Sequence, residues 1–555
     1  MEKSSKKYTV WAEKTLPADL RQQIEEIRED QEQIYDRFCK DLTFGTSGLR
    51  GKMGVGSNRI NSVVLKRATM GVSDYLLSKE KDPMVVIGYD TRINSKGYAS
   101  DISEEFASRG VKVMLFSEPT PVPVLSFAIR HLKANGGIMI TASHNPKEYN
   151  GYKVYDHFGN QIDDKKARLM EKYINKREYF EEEQDATRGK IIYLDDQVKN
   201  AYLEALKKQV LLWDEDEKAK EALSQLSVVY TPLNGAGRDY VMEVLKDFGI
   251  KDIKIVEEQW QWDGSFPTCP SPNPEYEKSF DMAMKYAQGA DIIIATDPDS
   301  DRTGVMARQD GNLKRLTGNQ VGELMLDYVC HCHNAGVGGK NLQGQKMAYK
   351  SYVSSPITEE IAQSYGVKMK NVPTGFKNIA FEMEKLKEEG REDDFLFGFE
   401  ESLGYLYGNY TRDKDGILAA QMICLMAASM KQEGKTLFDK LEDLYSKHGY
   451  MESEVFSLDY KTEKDREKIQ RLMTDLFGGR LETLRGEKVS ADLSHQAMNM
   501  YKAALPDGHQ IIIRPSGTEI KVKIYVFAKG QTRQQARENL KELVLGMKDF
   551  TYRYR

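Results

Sequence analysis

Cysteine is scarce in this chain, five residues in 555, and the count is odd (Cys39, Cys269, Cys330, Cys332 and Cys424). That excludes an extracellular fold stapled by disulfides and makes a reducing cytoplasm the expected setting. No apolar run reaches the ~20 residues that a membrane-spanning helix needs. The start, Met1-Glu-Lys-Ser-Ser-Lys-Lys7, lacks the apolar stretch of a secretory signal. No membrane partner is therefore expected. Positive charge is not in excess either, since 80 Lys and Arg against 85 Asp and Glu leave a formal charge of −5. This argues against nucleic acid as a partner. It does not exclude an anionic substrate, because exposed charges are screened beyond ~8 Å and local loops decide.

Several familiar motifs are also missing. Gly336-Val-Gly-Gly-Lys340 lacks the spacing and the Ser/Thr of a nucleotide-binding phosphate loop, and reads as a flexible connector. Gly-x-Ser-x-Gly is absent around Ser143, and the adjacent His144 is an awkward base for a hydrolase triad. Cys330-His-Cys-His333 cannot wrap one zinc tetrahedrally with adjacent residues and has no second Cys/His pair at finger spacing, so it reads as the end of a helix.

What is present describes a globular protein: 40% hydrophobic and 30% charged residues, enough apolar side chains for several cores. At ~150 residues per domain the length predicts three or four domains. A strand–helix–strand–helix–strand pattern recurs three times without sequence identity. The first copy runs 84–88, 98–109, 111–116, 121–132 and 137–140. The second runs 228–230, 238–248, 250–256, 275–288 and 291–295, and the third 346–353, 357–365, 367–371, 377–388 and 395–399. Short apolar strands alternating with helices predict parallel sheets with helical crossovers. The C-terminal part differs, with strands at 510–514 and 521–527, the latter half-exposed, and a helix over 532–547 opened by a capping box from Thr532 to Gln535. A fourth, α+β domain follows, with its boundary around 435–455.

Each α/β copy ends in a polar loop: Thr141-Ala-Ser143-His144-Asn, Asp297-Pro-Asp299-Ser-Asp301-Arg302, and Glu400-Glu-Ser402. Ligands of open α/β sheets gather at the carboxyl ends of strands, so three such loops predict one site between domains. Ser143 leaves the apolar strand 138–140 on a turn, and Pro146 with Asn150-Gly151 keeps the following segment from regular structure. A serine fixed on such a turn, with a histidine and lysines beside it, suits nucleophilic or phosphoryl chemistry. Asp297, Asp299 and Asp301 alternate at spacing two, which in extended backbone points three carboxylates one way. Such a cluster repels itself without a cation, and oxygen ligands suit a hard ion. An EF-hand fails because its sixth and twelfth positions are Arg302 and Arg308. Mg²⁺ is favoured over Ca²⁺, since three ligands leave room for water and a phosphate oxygen.

Arg514-Pro-Ser516-Gly517-Thr518 follows the strand 511–513 and supplies two hydroxyls, a pliant glycine and a forked cation, the parts of a phosphate nest. Arg50, Lys377, and Arg412 with Lys414 are exposed-looking basic residues beside Gly-containing turns, further candidates for substrate contact.

A serine loop, an aspartate loop, a Glu-x-Ser loop and a phosphate nest, in that order, resemble the α-D-phosphohexomutases nearly end to end, over roughly 40–550. Phe399 before Glu400-Glu-Ser402 is similar to the branch of phosphoglucomutases and their pentomutase-like relatives, rather than to phosphomannomutases. The resemblance implies three similar α/β domains with mixed, mostly parallel sheets, plus a C-terminal α+β domain, around a central cleft. The expected divisions are 1–205, 206–318, 319–440 and 441–555. It implies that Ser143 carries a phosphoryl group and, with Asp297, Asp299 and Asp301, holds Mg²⁺. Glu400 and Ser402 would bind sugar hydroxyls, and Arg514, Ser516, Gly517 and Thr518 the phosphate that is not transferred. Arg50, Lys153, Arg302, Lys377 and Lys414 fall at motif positions similar to active-site residues, and Lys153 and His144 are both candidates for the base. The implied reaction interconverts glucose 1-phosphate and glucose 6-phosphate, with glucose 1,6-bisphosphate as intermediate and activator. Phosphomannomutase, phosphopentomutase or bisphosphate synthase activity stays open within the class, and a non-catalytic sugar-phosphate-binding protein outside it. Sugar phosphates are the expected partners, and a monomer or weak dimer the expected state.

Overall fold

The computed structural model describes residues 2–45, 48–181, 189–212, 217–460, 465–492, 496, 498–516 and 521–554. Three sheets of mixed direction and one five-stranded antiparallel sheet follow one another along the chain, with a further two-stranded pair, Thr483–Leu484 with Glu487–Lys488, in the C-terminal part. In the first, the order is Leu49–Lys52, Tyr149–Asp156, Gly136–Ile140, Met84–Tyr89, Lys112–Phe116 and Ile191–Leu194. The second runs Asn312–Arg315, Thr303–Gln309, Ile292–Thr296, Ser227–Thr231 and Asp252–Ile255. In the third, Lys368–Val372, Met347–Ser351, Phe395–Glu400 and Gly404–Tyr407 lie side by side. Central strands such as Ile292–Thr296 and Gly136–Ile140 are buried at every position. This is why they read as unbroken apolar runs: helices cover both faces.

The three sheets share a turn of direction. Their central strands pair in parallel. The last of them then returns as an antiparallel hairpin partner: Gly136–Ile140 to Tyr149–Asp156, Ile292–Thr296 to Thr303–Gln309, and Phe395–Glu400 to Gly404–Tyr407. The three polar loops are therefore the tips of these hairpins. Asn150 and Gly151, expected in a loop, lie within the returning strand. Gly151 is squeezed between its neighbours, where a Cβ would sit 2.6 Å from the Thr141 carbonyl oxygen and 2.9 Å from that of Leu49. A glycine inside a strand here marks close approach of backbones, not a turn.

Three more expectations are corrected. The helix expected over 275–288 is two 3-10 turns, Glu277–Phe280 and Ala283–Tyr286. The Ser279 hydroxyl bonds the Asn273 carbonyl at 2.6 Å, and Phe280 and Ala283 pack under the second sheet. Side-chain-to-backbone bonding of this kind competes with the helical ladder. The last helix is Arg533–Tyr552; Thr532 caps Gln535 N–H, but the Gln535 side chain accepts from Gln531 rather than Thr532. The strand expected to be half-exposed, Lys521–Gly530, is covered on both faces. Val522, Ile524 and Val526 face its own domain's core, and Tyr525 and Phe527 join the cluster reaching through the third domain. Cys330 and Cys332 are buried near the end of the helix Gly318–Asn334, as read.

Helix Asp196–Lys207 runs through the expected division at 205/206, and Leu437–His448 through that at 440/441. Helix Gly416–Gln432 is buried at every position from Gly416 to Ser429, as its apolar character on all sides requires. Its cap, Asp415, accepts from Ile417 and Leu418 N–H, while Tyr202 and Tyr410 donate to the other carboxylate oxygen at 2.6 and 2.5 Å. Among the described residues no helix is long and apolar enough to cross a membrane.

Candidate active site

Ser143 sits at the tip of the first hairpin with φ 53°, a left-handed conformation that costs a non-glycine residue roughly 1–3 kcal/mol. Its neighbours hold it there. Its N–H donates to Thr141 Oγ1 at 2.8 Å, and its carbonyl accepts from Arg92 at 2.5 Å. Arg92 is a clamp for the whole loop, donating also to the carbonyls of Asn145, Pro146 (2.9 Å) and Tyr149 (3.1 Å). Its guanidinium stacks 5.1 Å from the Phe266 ring. Asp90, which accepts from Thr141 Oγ1 at 2.5 Å, completes the support. Asp90 and Arg92 were not singled out from the sequence. The signal was there, because Asp90-Thr-Arg92 follows the strand Met84–Tyr89 at its carboxyl end, like the other loops.

Ser143 is 3% exposed, and its hydroxyl donates to Asp297 Oδ2 at 2.8 Å and lies 3.1 Å from His144 Nδ1. Thus a hydroxyl from the first domain meets the carboxylates of the second. Asp297, Asp299 and Asp301 are buried, each offering an oxygen within 4.8 Å of the others. They converge on a curled turn with Ser300 at φ 53°, not on the extended backbone that spacing two suggested. Backbone from three directions fixes that turn: Val122 N–H donates to the Asp299 carbonyl (2.9 Å), Ala236 to Pro298 (2.9 Å) and Gly416 to Ser300 (3.0 Å).

Lys153 Nζ lies 2.8 Å from Asp299 Oδ2, and Lys414 Nζ 2.9 Å from Asp301 Oδ2. The three acids differ accordingly. Burial and the charges of Asp299 and Asp301 push the Asp297 carboxyl well above the usual range. Burial opposes ionisation of Asp299 too, but Lys153 outweighs it and holds that carboxyl well below. Oδ1 of Asp299 and Oδ1 of Asp301 are buried and accept no hydrogen bond. Unpaired carboxylate oxygens in a buried cluster are costly unless a cation takes them. The donor set fits a hard divalent ion such as Mg²⁺. Burial, reinforced by the Arg302 and Arg50 guanidinium groups, holds the His144 imidazole well below its ordinary value and so neutral.

Other expected residues lie around this centre. Arg302 pairs with Glu275 at 2.6 Å while its N–H donates to Asp297 Oδ1 at 3.0 Å. Arg50 reaches Asn145 Oδ1 in the serine loop at 3.3 Å. Glu400 accepts from Gly375 N–H at 2.6 Å, and Arg514 donates to Thr374 Oγ1 at 2.5 Å, so the fourth domain meets the third at the Thr374-Gly375 turn. Ser402 lies half-buried at the tip of the third hairpin. Ser516 follows Arg514, its N–H donating to the Lys521 carbonyl at 2.8 Å. Gly517 and Thr518 lie outside the described residues. Lys377 pairs with Asp164 at 3.1 Å.

Arg412 is a correction. It is not an exposed cation but fully buried, with Nε on Glu384 at 2.5 Å and a second nitrogen on Glu392 at 2.7 Å. Its remaining donors go to the carbonyls of Asn409 and Thr411. A guanidinium with four contacts inside the protein anchors the loop that presents Lys414.

A hydroxyl, a carboxylate triad and converging cations at hairpin tips of successive α/β domains define a phosphoryl-transfer class of protein. The sequence matches phosphoglucomutase/phosphomannomutase alpha/beta/alpha domain I over residues 41–181, domain II over 200–311 and domain III over 317–448. The chain belongs to the phosphoglucomutase/phosphomannomutase family, within the α-D-phosphohexomutases. It is 34% identical to the phosphoglucomutase of Staphylococcus epidermidis (strain RP62A) over 517 residues, 87% of this chain and 90% of that one. The phosphoglucomutase of Staphylococcus aureus (strain MRSA252) is 34% identical over 537 residues, 91% of this chain and 93% of that one. The fold is shared with pp63/parafusin from Paramecium, an open-form phosphoglucomutase (TM-score 0.68, 18% identity, 92% and 95% of the two chains). It is shared also with a phosphoglucomutase/phosphomannomutase family protein from Burkholderia thailandensis (TM-score 0.66, 17% identity, 91% and 97%).

Proposed function

We propose that this chain is a phosphoglucomutase, an isomerase that interconverts glucose 1-phosphate and glucose 6-phosphate through a phosphorylated Ser143 and glucose 1,6-bisphosphate. The observation that carries the reading is the 2.8 Å contact of the Ser143 hydroxyl with the buried aspartate cluster. A protein that only bound sugar phosphates would need neither a strained, clamped serine nor three buried carboxylates, two of them with an unpaired oxygen. The named relatives, matched over most of both chains, support the glucose assignment.

In the proposed cycle the bond from Ser143 Oγ to phosphorus breaks as phosphorus bonds the free hydroxyl oxygen of the sugar phosphate. The bisphosphate turns over, and its other phosphoryl group returns to Ser143. His144, neutral and 3.1 Å from Ser143 Oγ, is placed to relay the sugar hydroxyl's proton to Ser143 Oγ as the Oγ–phosphorus bond breaks, and to carry it back when the second phosphoryl group returns. Lys153, engaged with Asp299, is placed to hold charge rather than to take a proton. Ser143, Asp297, Asp299 and Asp301 would hold Mg²⁺, which when bound neutralises charge developing on the transferred group, an effect worth several kcal/mol. Arg50 and Arg302 add positive charge around it. Glu400 and Ser402 would read the sugar hydroxyls, and Arg514 with Ser516 would hold the distal phosphate. The five cysteines, all free, support a reducing cytoplasm.

The test is kcat/KM for glucose, mannose and ribose 1-phosphates with Mg²⁺. Glucose 1-phosphate should lead by at least tenfold; a lead by mannose or ribose would reassign the substrate, and turnover of none would overturn the reading.

A further inference from the structure

At the opposite end of the first sheet from Ser143 lies a cavity of about 580 Å³. Val85 and Gly136, at the amino ends of two parallel strands, form part of its wall, and Lys387 reaches it from helix Lys377–Glu388 of the third domain. The size suits an organic metabolite. Five cations line it (Lys79, Arg130, Lys133, Lys166 and Lys387) against two carboxylates, Glu80 and Asp156. Lys166 is paired with Asp156 at 2.5 Å. Lys79, Lys133 and Lys387 make no ion pair among the described residues. An excess of positive charge around one opening, in a chain of net charge −5, is local and specific. Aromatic residues complete the lining: Tyr75, Tyr155, and His157 beside Phe158 with ring centroids 3.8 Å apart.

We propose that this cavity binds an organic phosphate of nucleotide size, its phosphate among the lysines and its planar body on the aromatic wall, and that occupancy lowers turnover at the distant Ser143 site. The binding stands on its own; the effect on turnover rests on the mutase reading. Two connections carry it. Arg130 in the wall shares Glu384 (3.4 Å) and Glu392 (3.5 Å) with the buried Arg412, two residues from Lys414 on Asp301. Tyr155, also in the wall, donates to Asp413 Oδ2 at 3.1 Å, in the same loop. An anion drawing Arg130 from the two glutamates loosens the tether that fixes Lys414. Because the effect falls on turnover and not on sugar-phosphate affinity, sugar phosphate in the cleft leaves binding in the cavity nearly unchanged and does not displace it.

The experiment is calorimetric titration of the full chain with AMP and, separately, inorganic phosphate, with glucose 1-phosphate turnover measured in excess Mg²⁺. AMP should bind at least tenfold more tightly than phosphate and lower kcat with little change in KM. K133E combined with K387E, both exposed and outside the catalytic machinery, should weaken AMP at least tenfold and leave kcat without AMP unchanged. Absence of binding at millimolar AMP, equal affinity for phosphate, an unaltered double variant, or full displacement by glucose 1-phosphate would each overturn the proposal. If turnover is absent altogether, the mutase reading fails while the AMP titration still decides the cavity.

Discussion

At the scale of single residues, the site is built on opposed costs. Ser143 is held in a left-handed backbone by Thr141 and Arg92 so that its hydroxyl faces Asp297. Three acids are buried together, and Lys153, Lys414 and Arg302 offset them from within the protein. Asp299→Asn keeps the shape and removes one charge. Turnover should fall about 100-fold or more, the loss of a cation contribution of several kcal/mol, while the melting temperature moves by only a few degrees. Unchanged turnover in a steady-state assay would refute the metal assignment. Composition and spacing made the aspartates visible, but not Arg92, whose work is done through backbone carbonyls that no motif records. Arg412 misled for the converse reason: a basic residue beside Asp-Lys-Asp-Gly looks solvated until the partners Glu384 and Glu392, distant in sequence, are known.

At the scale of elements, each functional loop joins a buried parallel strand to its antiparallel return, with one left-handed non-glycine residue at the tip: Ser143, Ser300 and Leu403. The central strands were legible because burial on both faces leaves an unbroken apolar run. The return strand Tyr149–Asp156 was not, since Asn150-Gly151 is ordinary turn chemistry and only the crowding by Thr141 and Leu49 explains the glycine. Likewise 275–288 has helical spacing but is tied to the Asn273 turn by a serine. Gly416 shows how closely these elements fit. A Cβ there would lie 2.6 Å from the Ser300 carbonyl oxygen and 3.1 Å from that of Arg302. Gly416→Ala should push the aspartate loop aside, lowering kcat roughly 10- to 100-fold and raising the Mg²⁺ concentration for half-activation. A Mg²⁺ titration of turnover that overlays the unmodified enzyme would contradict this placement.

At the scale of the molecule, the third domain is closed by buried polar groups as well as apolar ones. Glu323 is buried in the helix Gly318–Asn334 and accepts from the Tyr445 hydroxyl at 2.9 Å. Burial pushes its carboxyl up to about 7 from a usual 4.5. A folded carboxyl with a raised value binds more protons than the unfolded chain between those limits. Stability from this group is therefore greatest below pH 4.5 and declines as pH rises towards 7, by an amount on the order of 3 kcal/mol. Glu323→Gln should flatten that decline. Melting curves from pH 5 to 8 should show the variant gaining on the unmodified protein as pH rises; parallel curves would show that Glu323 is already ionised in the fold. The succession of sheets and the meeting of the serine and aspartate loops were legible from the repeated pattern. The covering of Lys521–Gly530 on its second face was not, because its partner surface belongs to another domain.

The account as a whole turns on transfer from Ser143 to a sugar. Enzyme labelled with phosphorus-32 on its seryl group, mixed with unlabelled glucose 1-phosphate and quenched within one turnover, tests it most directly. Label should leave the protein and appear first in glucose 1,6-bisphosphate, and the Ser143→Ala variant should take up none. Label that stays on the protein, or that maps to a residue other than Ser143, would contradict the account.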